Sequence, residues 1–144
     1  MARAAPARSL MTAEQGTHVA RAAREVVLCY PNTYRVASSS LGFQVIWRAL
    51  NEHPGLACHR AVWSDELSPA CSLELGRGLA SHDAILFSIA YELDLVHVVA
   101  MLESAGLAPL ARDRRPGCTG HLAAAEPHLA ADRALHRRNR LSAQ

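Results

Sequence analysis

Glu25 to Leu50, EVVLCYPNTYRVASSSLGFQVIWRAL, is the stretch whose reading decides the fold. Val26 to Tyr30 is apolar on both faces, as a central parallel strand covered by helices above and below must be. Pro31-Asn32 breaks the run, and Ser38-Ser39-Ser40 offers hydroxyls to the free amides of a helix start. A buried strand, a turn and a capped helix together open an α/β unit. Open parallel sheets gather ligands at the carboxyl ends of their strands. The loop from Asn32 to Ser40 is therefore the first candidate site.

Outward from this stretch the pattern repeats. The helix from Leu41 to about Asn51 carries Gln44, Arg48 and Asn51 on one stripe. Leu41, Val45, Ile46, Ala49 and Leu50 lie on the other, which is expected to cover the sheet. His53-Pro54-Gly55 stops it, because proline cannot continue a helix and glycine supplies the turn. Leu56 to Trp63 reads as a second strand interrupted by His59 and Arg60, an interruption that an edge position tolerates. Ser64 to Leu79 reads as loop, with one helical turn around Glu66 to Leu67 and with Pro69, Gly76 and Gly78 as punctuation. Ala84 to Ala90 is the third strand.

Tyr91 to Ser104 follows as a helix, with Glu92 and Asp94 where the dipole favours negative charge and with Gly106 closing its end. From Leu95 to Leu102 it carries only His97 among apolar residues, so something is expected to pack on its outside. After Leu110 the character changes. A basic cluster from Arg112 to Arg115 leads into alanine-, histidine- and arginine-rich text with no strand pattern and one helical pattern from Glu126 onward.

Composition narrows the function classes. The chain has 144 residues, half of them hydrophobic, enough for one domain with a real core. All basic residues are arginine, which with the abundant Ala, Gly and Pro reads as GC-rich coding DNA. A formal charge of +2 does not imply nucleic acid. No apolar run reaches the length of a membrane span, so a soluble, cytoplasmic protein is expected. Cys29, Cys58, Cys71 and Cys118 lack paired spacing and read as free thiols acting as small hydrophobes, not as a disulfide framework or zinc site. Residues 1–24 read as a leader, disordered or briefly helical.

His53, His59, His82 and His97 show no ligand spacing and read as surface or satisfied core histidines. His121, His128 and His136 fall near two helical turns apart, without a carboxylate partner. Asp65, Glu66 and Glu74 lie in a loop with no fixed mutual geometry for acid–base work.

Several pieces together resemble a known family. They are Tyr30-Pro31-Asn32 with Tyr34, Ser40-Leu41-Gly42-Phe43-Gln44, Leu50-Asn51, and Ser72-Leu73-Glu74. Asp83 to Leu93 (DAILFSIAYEL), Met101-Leu102 with Ala105-Gly106, and Arg112-Asp113-Arg114 continue the series. In order and spacing they resemble the N-terminal, cobalamin-binding-type domain of uncharacterised radical SAM proteins, over residues 25–115. The resemblance implies a flavodoxin/Rossmann-like parallel sheet with the first strand central. It also implies cobalamin as cofactor over the strand ends, lined by Asn32, Thr33, Tyr34, Ser38, Ser39, Ser40, Gly42, Ser88 and Tyr91.

The departures are equally specific. Counting back from Gly42 in a DxHxxG loop puts Ser39 at the histidine and Ala37 at the aspartate, so this loop gives cobalt no imidazole. No CxxxCxxC triad is present for an iron–sulfur cluster, and neither that cluster nor S-adenosylmethionine is supported in the chain. No fourth strand is expected. The sheet should be truncated after the third β-α unit, with residues 116–144 a non-family tail, disordered or helical, as a frameshifted or truncated relic of a longer protein would read. The resulting expectation is a cobalamin-binding-like domain without catalysis of its own. The alternative is a cofactor-free piece that docks, through residues 91–105, on a radical SAM catalytic domain or another protein. No nucleic acid or membrane partner is expected.

Overall fold

In the computed structural model, residues 21–64 and 69–113 are described together with the backbone of 121–124. The strands are β1 (Arg24–Tyr30), β2 (Leu56–Val62), β3 (Ala84–Phe87) and β4 (His121–Ala124). The helices are α1 (Tyr34–Ser39), α2 (Leu41–Glu52) and α3 (Leu95–Ser104). All pairings are parallel and the order is β2-β1-β3-β4, with Val26 of β1 level with Cys58 on one side and Ala84 on the other. The α/β class and the central first strand are as the sequence implied.

Alternation along each strand builds two cores. Val26, Leu28 and Tyr30 of β1 join Cys58 and Val62 of β2 beneath Ala37 and Phe43. Tyr30 meets Phe43 edge-on, with ring centroids 5.2 Å apart. Val27, Cys29, Ala61, Ile85 and Phe87 face the other way, under Met101 and Leu102 of α3 and Leu79 of the β2–β3 crossover. Burial pushes both strand thiols up, Cys58 to about 12, so they behave as the small hydrophobes expected.

Four expectations need correction. The sheet does not stop at the third unit: β4 pairs with all of β3, from Ala84↔His121 to Phe87↔Ala124. His-Leu-Ala-Ala has no β-branched or aromatic residue, so the open ladder of β3, not local propensity, makes it a strand. The loop after β1 is not open either, because Tyr34–Ser39 coils into α1. The inner stripe of α2 is Phe43, Ile46, Trp47 and Leu50, while Leu41 and Val45 are exposed. Finally, β2 does take the edge position, yet the His59 and Arg60 that interrupt it are buried there. The leader through residue 20, the turn at Glu66, Cys118, His128, His136 and the tail arginines lie outside the described residues.

Candidate functional site at the carboxyl ends of the strands

The backbone beyond β1 is pinned to both neighbouring strands. Trp63 N–H, just past β2, donates to Tyr30 O at 3.2 Å and Asn32 O at 3.1 Å, and Ser88 N–H, just past β3, donates to Cys29 O at 2.9 Å. Side chains then close the rim. Asn32 uses its carbonyl to accept from Thr33 N–H at 2.8 Å and its amide to donate to Asp94 Oδ1 at 3.0 Å. That bond ties the exit of β1 to the turn Glu92–Asp94 that leads into α3. His97, in the first turn of α3, lies with Nδ1 2.9 Å from Pro31 O. A carbonyl only accepts, so Nδ1 is the donor of this bond. The His97 ring stacks on Trp63, with centroids 5.0 Å apart and planes 12° apart.

Of the sequence-derived candidates, Asn32 and Ser88 stand just past the ends of β1 and β3, with Thr33 N–H bonded to Asn32, while Ser38, Ser39, Ser40 and Gly42 lie in α1, α2 and the step between them. Thr33 precedes α1 without capping it through its side chain, and Tyr34 starts that helix and packs on the core. The Ser38 and Ser39 hydroxyls both donate to Arg35 O at 3.0 Å. Only Ser40 caps a helix, accepting from Phe43 N–H at 3.4 Å. Gly42 is exposed with open space about it, Ser88 is buried, and Tyr91 is exposed before the turn. Trp63, Asp94 and His97 were missed as a group. The one polar residue in the apolar run of α3 was the available signal for His97. Asp94 Oδ2 is buried with no protein partner among the described residues.

Glu74, also among the resembling residues, sits elsewhere. It seals the outer edge of β2, accepting from Arg60 N–H at 2.7 Å through Oε2 and from Arg60 Nε at 2.8 Å through Oε1. Asn51 and Trp47 of α2 do the same one step earlier. Asn51 Oδ1 accepts from Cys58 N–H at 2.9 Å, and Asn51 Nδ2 and Trp47 Nε1 donate to Cys58 O at 3.1 and 2.9 Å. The Arg60 guanidinium lies 4.6 Å above the Trp47 ring. These side chains stand in for a neighbouring strand, one way that natural sheets blunt an edge.

Among the described residues no group of three or more His, Cys, Asp or Glu is placed to hold a metal ion, and no helix is long and apolar enough to cross a membrane. A shallow cavity of about 210 Å³ lies on the outer side of α2, over Leu41, Gln44, Val45, Trp47 and Arg48, away from the strand ends. No curated protein and no solved structure matches the chain. The family model of radical SAM proteins, N-terminal, matches residues 42–119, which takes in α2, the sealed β2 edge, β3 and α3. That span is more than half of the chain, and the chain therefore belongs to the N-terminal family of radical SAM proteins.

Proposed function

We propose that this domain is not catalytic by itself and serves as a docking module, its partner being a radical SAM catalytic domain. The observation that carries the reading is the outer face of α3 and the turn before it. Tyr91, Leu93, Leu95, Val96 and Val99 are all exposed there, Leu93 at 86% and Val96 at 70%. Clustered aliphatic side chains rimmed by polar residues mark an interaction surface in a monomeric soluble domain. The family description places such domains at the N-terminal side of radical SAM proteins, so a catalytic domain is the partner of matching kind.

The residues at the strand ends do not fit a corrin ring as they stand. The Trp63–His97 stack and the Asn32–Asp94 bond occupy the rim, and the hydroxyls of Ser38, Ser39 and Ser40 are turned to their own backbone. The segment from Asn32 to Ser40 also lies before the matched span. This filled rim supports a docking role that needs no cofactor.

Calorimetric titration of the chain with a radical SAM catalytic domain, taken from a protein matched by the same family model, tests the reading. Leu93→Asp with Val96→Asp should weaken binding at least tenfold, about 1.4 kcal/mol, without altering the circular dichroism. Absence of binding, or equal affinity of the double variant, would refute the surface. In a parallel titration, hydroxocobalamin should keep its visible spectrum and not co-elute; a shifted spectrum with co-elution would restore the corrinoid reading.

A further inference from the structure

His59 on β2 and His82, in the turn that enters β3, meet inside the protein, with ring centroids 5.6 Å apart and planes tilted by 59°. Their residues are 4% and 1% exposed. His82 Nδ1 lies 3.3 Å from Leu79 O. Its Nε2 and both ring nitrogens of His59 are buried with no protein partner among the described residues, as is Nε of Arg77. The Arg77 guanidinium meanwhile pairs with Glu25 of β1. Four unpartnered nitrogens thus share one region at the sheet.

The stretch that carries His82 and Arg77 is the crossover from β2 to β3. It folds on itself through Ser72 N–H to Arg77 O at 2.8 Å, Gly76 N–H to Ser72 O at 2.7 Å and a bridge between Cys71 and Gly78. The same stretch covers the β2 edge, where Leu73 N–H donates to Arg60 O at 2.7 Å and Glu74 accepts from Arg60 N–H. One segment therefore holds the imidazole pair and guards a sheet edge.

We propose that His59 and His82 form an acid-sensitive clasp, in which protonation of either imidazole releases residues 71–82 and uncovers the β2 edge at Arg60. The added proton, on His59 or on Nε2 of His82, is a buried charge with no protein acceptor among the described residues. Burial lowers both imidazoles from their ordinary value, and Arg77 lowers them further. The neighbouring imidazole acts on His82 in the same sense. Glu74 and Glu25 oppose this for His59, less strongly than burial acts, and Leu79 and Gly78 carbonyls oppose it for His82. The folded pair is therefore neutral where the released pair takes up protons. Stability is fully present above about pH 6.5 and falls as the pH drops below it toward the folded values. Each imidazole contributes up to about a tenfold rise in the opening constant per pH unit.

Amide hydrogen exchange of the full chain between pH 7.5 and 5.5, corrected for intrinsic rates, tests the clasp. Protection should fall at least tenfold at residues 72–82 and at Arg60 N–H while holding at Val27 and Leu28. His59→Leu and His82→Leu should each flatten that dependence. Should the variants not fold, carbon-13 titration of the two imidazoles in the native chain decides, with neutral rings expected at pH 6.5. Uniform protection across this range, or either ring titrating at or above pH 6.5 in the folded chain, would overturn the proposal.

Discussion

At the scale of single residues, Arg60 poses the sharpest problem, because its guanidinium is held at 2% exposure on an edge strand. Desolvating a cation costs several kcal/mol, and only close, well-aligned partners repay it. Glu74 does so with both oxygens, one on the side chain and one on the Arg60 amide, while Trp47 covers the guanidinium face. Glu74→Ala removes one counter-charge and the amide cap together, and should cost about 1.5–3 kcal/mol in urea denaturation, as loss of a charged hydrogen bond does. Arg60→Met combined with Glu74→Leu should recover part of that loss, since no buried charge remains, but not all, since the Arg60 amide stays uncapped. A Glu74→Ala loss below about 1 kcal/mol would mean that the pair merely breaks even. From the sequence, Glu74 was an acid in a loop and Arg60 an interruption of a strand. Their meeting spans the crossover, and neither periodicity nor spacing encodes it.

At the scale of elements, the chain announces what local chemistry controls. The run at Val26 to Tyr30, the break at His53-Pro54-Gly55 and the glycine after the last helix all stand where the sequence put them. That helix end is a full Schellman motif: Leu107 N–H donates to Leu102 O and Gly106 N–H to Glu103 O, both at 2.9 Å, with Gly106 at φ +72°. Gly106→Ala meets no neighbour within 4 Å, so its whole cost is the left-handed backbone, about 1–2 kcal/mol. Thermal unfolding should show a matching drop in Tm, and an unchanged Tm would mean the helix frays there without penalty. What local chemistry left ambiguous went astray. Tyr34 to Ser39 holds two serines that read equally as loop or cap, and it coils with Ala37 buried and with Val36 and Ala37 N–H on Thr33 O, although both hydroxyls compete by bonding back to Arg35 O. The rim pairs Asn32–Asp94 and Trp63–His97 join residues 62 and 34 positions apart, so only the folded sheet brings them together.

At the scale of the whole molecule, the two strands that flank β1 are protected on their far sides by different means. The β2 edge is capped by side chains from α2 and the crossover, whereas β3 is covered by a further strand, β4, four residues long. A ladder pairs backbones whatever the side chains are, so even His-Leu-Ala-Ala suffices when a parallel edge is waiting. Without β4, the β3 edge from Ala84 to Phe87 would be an unpaired parallel edge beside exposed apolar residues of α3, a template for a second chain. A chain ended at Gly120 should therefore self-associate at concentrations where the full chain is monomeric, read by sedimentation velocity. Ala123→Pro should do the same in the full-length chain, because proline removes an amide and breaks the ladder while leaving length and charge alone. If both variants stay monomeric with unchanged unfolding midpoints, β4 contributes no protection, and the edge of β3 is guarded by its own shortness.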